Sequence, residues 1–241
     1  MSGHSKWHNI QKTKGAADAK KAKIFTKYAR EMAIAIKEGG GADPNSNSKL
    51  AAVISRAKSE NVPNDNIKRV LEKAASSGSG ESYEAITYEG YGPGGVAVLV
   101  DALTDNKNRT VAEVRHYLDK YGKGMGASGC VSWQFDKKGV IVINGEDLDE
   151  ETVMMQALEA GAADFQVDEN IFEVYTDPDD FDTVKEALKA EGLEFLEAEI
   201  QMVPQTYTSL TNEDDIKNME KMLEVMEAND DIQDVWHNWE E

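Results

Sequence analysis

Residues 76–104 read "SSGSGESYEAITYEGYGPGGVAVLVDALT", and the way this stretch changes character divides the chain. Its first seven residues are small and polar and read as a flexible linker over 76–82. "YEAITYEG" and "VAVLVDAL" then read as two strands, and the glycine-proline cluster between them supplies the turn of a hairpin. Upstream of the linker the apolar residues recur at helical spacing, and downstream strands alternate with helices.

Working back from the linker, Ile24, Phe25, Tyr28, Ala29, Met32, Ala35 and Ile36 follow the i, i+3, i+4 rule and predict a helix over about 16–37. At about 100° per residue, Lys20, Lys23, Lys27 and Arg30 fall on its opposite face. "EGGGADP" ends it. A second helix is expected over about 48–60, with Leu50, Val53, Ile54 and Ala57 inward. A third, capped by Asn64, turns Ile67, Val70, Leu71 and Ala74 inward. Three short helices with short connections imply a helical bundle over 1–75.

Working forward, "NRTVAEVRHYLDKYG" has helical period and "GCVSWQF" reads as a strand, giving β-β-α-β. From "GVIVI" to "EFLEAEIQMVP" the order becomes β-α-β-β-α-β, the ferredoxin-like split pattern. The end of the chain adds a helix and the strand "IQDVWHNW". These can complete the first α/β unit and leave the second inserted within it. The expected class is α+β: a three-helix bundle, a discontinuous α/β domain over 83–135 plus 206–241, and a ferredoxin-like domain over 136–205.

Charge is distributed as unevenly as structure. The 241 residues carry a formal net charge of -19. Residues 1–75 hold 15 Lys and Arg against 7 Asp and Glu, and the rest hold 11 against 38. A basic end on an acidic body points to nucleic-acid contact through that end. The longest apolar runs, such as "VAVLV", fit strands and fall well short of the roughly 18 residues a membrane helix needs. A single cysteine, Cys130, excludes an internal disulfide and suits a reducing, cytoplasmic setting.

Lys6, Trp7, His8, Lys12 and Lys14 lie in a segment with little apolar periodicity. Such a segment can follow a phosphate backbone while Trp7 stacks on a base. Lys20, Lys23, Lys27 and Arg30 extend the basic face. In "TDNKNRT", residues 104–110, Lys107 and Arg109 stand between a strand and a helix start, where an anion can be met. An ordinary capping loop explains that stretch equally well.

Other candidate chemistry is weaker. His4 and His8 are four apart but have no third ligand nearby, so no metal is expected. Cys130 and His116 could pair as nucleophile and base only if the fold brings them together. "GKGMGASG", residues 122–129, follows a helix and precedes a strand. That is the reverse of a phosphate-cradling loop, so no nucleotide cofactor is expected.

The segments "GHSKWHNIQKTKGAADAKKAKIFTK", "NVPNDNIKRVLEKA", "YEGYGPGGVAVLVDALTDNKNRT", "GCVSWQF" and "VWHNW" occur in this order over almost the whole chain. Together they resemble the YebC/PmpR family. The resemblance implies a three-domain cytoplasmic protein without enzymatic activity: a DNA-binding transcriptional regulator, or a ribosome-associated factor that helps translation through stretches such as proline runs. A third reading, an enzyme using an α/β cleft, would need a cofactor or perturbed carboxylates.

Overall fold

The computed structural model describes residues 17–76 and 83–240, with side chains from 24 to 73 and from 83 to 240. Two compact units result. Of the described residues, those up to Cys130 together with Thr211–Val235 form one. Val131–Leu210 and the residues from Trp236 onward form the other.

In the first unit, α1 (Ala17–Gly39), α2 (Ser48–Ser59) and α3 (Asn64–Ser76) form a helical layer. Ile24, Phe25, Tyr28, Met32, Ala35 and Ile36 of α1 meet Leu50, Val53, Ile54 and Ala57 of α2 and Ile67, Val70 and Leu71 of α3. Burying a side chain such as Met32 or Leu50 contributes about 1.5–3 kcal/mol. Asn47 fastens the α1–α2 connection. Its Oδ1 accepts the Leu50 amide at 3.1 Å, while its Nδ2 donates to the carbonyls of Ala35 and Gly41 at 2.8 and 2.9 Å. The cap and the end of α1 are thus tied by one buried amide.

Beyond the linker, β1 (Glu84–Tyr91) pairs antiparallel with β2 (Ala97–Thr104), with Tyr88 opposite Val100. The turn needs its glycines: Gly94 and Gly95 hold φ of 63° and 90°, a region L side chains avoid. Next come α4 (Lys107–Tyr121) and the two-residue β3 (Gly124–Met125), which pairs with Gly90 and Tyr91. The sheet order is β3-β1-β2-β9, where β9 (Ile232–His237) comes from the far end of the chain. The helix before β9, here α7 (Glu213–Glu227), packs against α4 with Met219, Met222 and Met226 fully buried.

One expected strand is not present. Instead of forming a strand, "GCVSWQF" holds a single 3-10 turn at Ser132–Gln134, and the strand begins only at Phe135. Gly129, at φ 87°, gives its amide to the Glu89 carboxylate, and Cys130 turns back to the Ala127 carbonyl, so the backbone is committed to a turn.

The second unit runs β4 (Phe135–Asn144), α5 (Glu150–Ala160), β5 (Asp164–Asp168), β6 (Ile171–Thr176), α6 (Phe181–Ala190) and β7 (Phe195–Pro204). The antiparallel order β5-β6-β4-β7 is the ferredoxin-like arrangement. Ile141, Ile143, Phe172 and Val174 pack one face of the sheet against Val153 and Ala157 of α5 and Phe181, Val184 and Leu188 of α6. A short parallel pair, β8 (Thr208–Ser209) with β10 (Trp239–Glu240), belongs to the same unit. The architecture is α+β, with helices followed by two four-stranded sheets and this short parallel pair.

Candidate nucleic-acid interface

Of the basic candidates, Lys6, Trp7, His8, Lys12 and Lys14 lie outside the described residues. Lys20 and Lys23 sit in the first two turns of α1. The other four, Lys27, Arg30, Lys107 and Arg109, are placed with their partners, and two of them share a single carboxylate.

That carboxylate is Asp231, buried just before β9. Arg30 Nη1 donates to its Oδ1 at 3.0 Å and to the carbonyls of Leu103 and Asp230, both at 2.6 Å. Arg109 donates to Oδ2 from Nη2 at 2.6 Å and from Nε at 3.2 Å, and Nη2 also reaches Asp105 at 2.7 Å. The hydroxyls of Thr110 and Thr104 add bonds at 2.8 and 3.2 Å. The backbone agrees: the Leu103 amide donates to the Asp231 carbonyl at 2.8 Å. One side chain therefore joins α1, β2, α4 and the approach to β9.

Burial alone would raise the Asp231 carboxyl. Hydrogen bonds from Arg109 and Thr110, with the charges of Arg109 and Arg30, outweigh it and hold the group below the ordinary carboxylate range. Arg109 is raised in turn, chiefly by its bonds to Asp231 and then Asp105. The loop at 104–110 is thus a capped helix start whose anion comes from the chain itself. Asn106 Oδ1 accepts the Arg109 amide at 3.1 Å, and the Asn106 amide donates to Thr104 Oγ1 at 2.9 Å.

Lys27 pairs with Asp234 at 2.9 Å, both about a quarter exposed. Lys107 stands 3.2 Å from Glu84, and both are well exposed, a pair that contributes little to stability and leaves the lysine available. Between α1, α2 and the β1–β2–β9 surface lies a cleft of about 600 Å³. Ala35, Val53, Ile86 and Leu103 help line it, and the pairs Lys27–Asp234, Arg56–Glu31 and Lys49–Glu38 stand along it.

The glycine loop at 122–129 is likewise occupied by protein. Glu89 takes the Gly126 amide on its carbonyl and the Gly129 amide on its carboxylate, at 2.8 and 2.7 Å. Cys130 sits beside this loop, where burial and then the Glu89 charge push its thiol up, away from a reactive thiolate. His116 lies on α4 with its ring against Tyr117. Among the described residues no group of three or more His, Cys, Asp or Glu could hold a metal ion. No described helix is long and apolar enough to cross a membrane.

The bundle exposes cations that helix-face reasoning on α1 passed over: Lys58 at the end of α2, and Lys68, Arg69 and Lys73 on α3. The α3 apolar set, Ile67, Val70 and Leu71, points into the core, and that spacing alone turns these three outward.

A basic helical layer joined to one sheet, followed by a ferredoxin-like unit, is an α+β framework with its cations concentrated at one end. Residues 5–77 match the TACO1/YebC protein N-terminal domain, and residues 83–239 match the TACO1/YebC second and third domain. The chain belongs to the TACO1/YebC family. It is 57% identical over 242 residues to a protein of Ruminiclostridium cellulolyticum named "Probable transcriptional regulatory protein", covering 100% of this chain and 97% of that one. A Clostridioides difficile protein named in the same way is 54% identical, covering 96% and 97%. The crystal structure of a conserved hypothetical protein from Aquifex aeolicus superposes with a TM-score of 0.77 at 41% identity, covering 92% of this chain and 91% of that one.

Proposed function

We propose that the chain is a cytoplasmic nucleic-acid-binding regulator of gene expression. In this reading it acts on DNA as a transcriptional regulatory protein, without catalysis, cofactor or metal. The observation that carries this is the separation of charge: net +8 over residues 1–75 against net -27 over the rest. Cations gathered at one end release counterions from a phosphate backbone, while the acidic body is repelled by it, so contact is confined to the basic end. The names of the relatives support regulation of transcription.

Because Arg30 and Arg109 are held by Asp231, the contact falls first to Lys6, Trp7, His8, Lys12 and Lys14, then to Lys20 and Lys23 along α1. The exposed Lys58, Lys68, Arg69, Lys73 and Lys107 add to it. A second reading, a ribosome-associated translation factor, draws on the acidic remainder. A ribosome offers RNA to the basic end and basic proteins to the body, whereas a bare duplex offers the body only repulsion.

The experiment is a salt titration of affinity for duplex DNA, structured RNA and ribosomes. Changing Lys6, Lys12 and Lys14 to alanine is expected to lower the slope of log K against log salt by roughly two to three on a duplex. Tighter, more salt-sensitive binding to ribosomes than to DNA at matched salt selects the second reading. Unchanged affinity and slope on all three ligands would make the basic end a solvated surface and end both readings.

A further inference from the structure

The ferredoxin-like unit carries an exposed apolar surface to which none of the basic candidates belongs. On α5, Met154, Met155 and Leu158 are 36%, 58% and 50% exposed. At 100° per residue, Leu158 projects between the two methionines, so the three form one stripe of about 100°. The helix beneath is fixed from its other side. Val153 and Ala157 are buried in the sheet core, Asp149 caps the first turn through the Thr152 amide at 3.0 Å, and Gly161 closes the last turn. The stripe is presented by a rigid element rather than by a frayed end.

Its own helix and the segments flanking it along the chain carry one sign of charge, while the neighbouring α6 adds Lys185 and Lys189. From Gly139 to Val184 the sequence holds 14 acidic residues and no Lys, Arg or His. Glu151 stands one turn before the stripe and in line with it, Glu159 stands beside Met155, and Glu150 extends the exposed rim. Nucleic acid and anionic lipid are repelled by such a rim. Two copies meeting stripe to stripe would set like charges against each other. The partner that satisfies both features is a basic amphipathic segment, with apolar side chains for the stripe and Lys or Arg for the rim. Methionine suits this task, because its unbranched thioether side chain adapts to differently shaped anchors.

We infer that the Met154–Met155–Leu158 face of α5 is a docking surface for a lysine- and arginine-rich amphipathic helix of a partner protein. It acts independently of the basic end, and its test contains no nucleic acid.

The probe is a labelled model helix of lysine and leucine of about 18 residues, or five turns. Its binding to the full chain is followed by fluorescence anisotropy, beside the same helix with glutamate in place of lysine. The lysine helix is expected to bind and the glutamate helix is not. Met155→Ser with Leu158→Ser should weaken binding about tenfold, and Glu151→Gln with Glu159→Gln should weaken it by a similar factor. Both pairs are exposed, so circular dichroism melts should match the parent. If the serine pair failed to fold, the glutamine pair would decide. Equal binding of both helices, no binding of the lysine helix, or full binding by the glutamine pair would overturn the inference. So would self-association in sedimentation that the serine pair abolishes, which would name a second copy as occupant. Much tighter binding of the helix after removal of residues 1–16 would name the chain's own basic segment and overturn an external partner.

Discussion

Arg30 and Asp231 stand 201 positions apart in sequence and are joined at 3.0 Å. The arginine belongs to the helical layer, and the aspartate precedes the strand that closes the first sheet. The bond therefore fastens the layer to the sheet. Both side chains are largely buried, at 13% and 5% exposure. Removing one member of such a pair leaves a charge without its partner in a poorly solvated site, which costs far more than an exposed pair contributes. Asp231→Asn keeps the shape and removes the charge. It should lower the unfolding free energy by about 3 kcal/mol in urea titrations monitored by far-ultraviolet circular dichroism. No change in midpoint would mean that the bond follows the packing rather than holding it.

The same carboxylate sets an acid limit. The Asp231 carboxyl titrates below its ordinary value in the folded chain, so over that interval the folded state binds fewer protons than the unfolded one. Its stabilisation is complete above the unfolded value of about 3.9 and is lost as pH falls through the folded value. Urea midpoints should decline as pH falls below about 4, and the Asp231→Asn chain should show a shallower decline over that interval.

Much of the fold is readable along the chain because its signals are local. Met32 and Leu50 lie on apolar stripes of helical period, and Tyr88 and Val100 lie on strands flanking a glycine turn. The turn at Ser132–Gln134 escapes such reading. It is closed by the Gln134 amide on the Val131 carbonyl and preceded by a bond from Gly129 to Glu89, forty positions away, while the segment itself has the apolar and aromatic composition of a strand. The candidate site is less legible for the same reason. Lysine and arginine on a helix face look alike whether they meet solvent, phosphate or a buried aspartate. Nothing near Asn229–Asp231 in the sequence marks Asp231, among 45 acidic residues, as the partner of Arg30 and Arg109. The exposed Lys68, Arg69 and Lys73 were readable from the spacing of Ile67, Val70 and Leu71.

Alkali should act on the helical layer. Burial, then the charges of Glu60 and Glu31, raise the Tyr28 hydroxyl from 10.0 to about 12. A raised value means that the neutral phenol is the favoured folded form. Its stabilisation is complete below the unfolded value of about 10 and is lost as pH rises through about 12. Burial raises Tyr88, Tyr175 and Tyr207 as well, so ultraviolet titration at the phenolate band should show several late tyrosines; Tyr28→Phe should remove one of them, and the variant should lose less stability between pH 10 and 12.

The helix α7 offers a contrast between its two faces. Met222 is fully buried beside Met219 and Met226, whereas Glu220 faces solvent. Met222→Ala should cost about 2–5 kcal/mol, through lost apolar burial and a cavity the neighbours only partly fill. Glu220→Gln should stay within about 0.5 kcal/mol of the parent. Equal effects in thermal or urea unfolding would contradict the packing of α7 against α4.

The Asp231 cluster also separates two groups of cations that the sequence presents together. If Lys6, Lys12 and Lys14 meet phosphates, each adds a slope of about -0.9 in log K against log salt on a duplex, and about -0.7 on a single strand. Arg109 already donates from Nη2 and Nε to Asp231 and from Nη2 to Asp105, so a phosphate would have to displace an anion that the chain holds in place. Arg109→Gln should therefore lower the urea midpoint while leaving the salt slope for duplex DNA where it was. The lysine triple variant should do the reverse, keeping the midpoint and lowering the slope. Trp7→Ala gives a third signature, since a stacking contact of about 1–3 kcal/mol shifts affinity with little change in slope. Measured side by side, the three variants separate holding the fold, meeting phosphate and stacking on a base. A drop in salt slope for Arg109→Gln as large as that for one of the lysines would show that phosphate competes with Asp231 for this arginine, and would return the β2–α4 loop to the nucleic-acid interface.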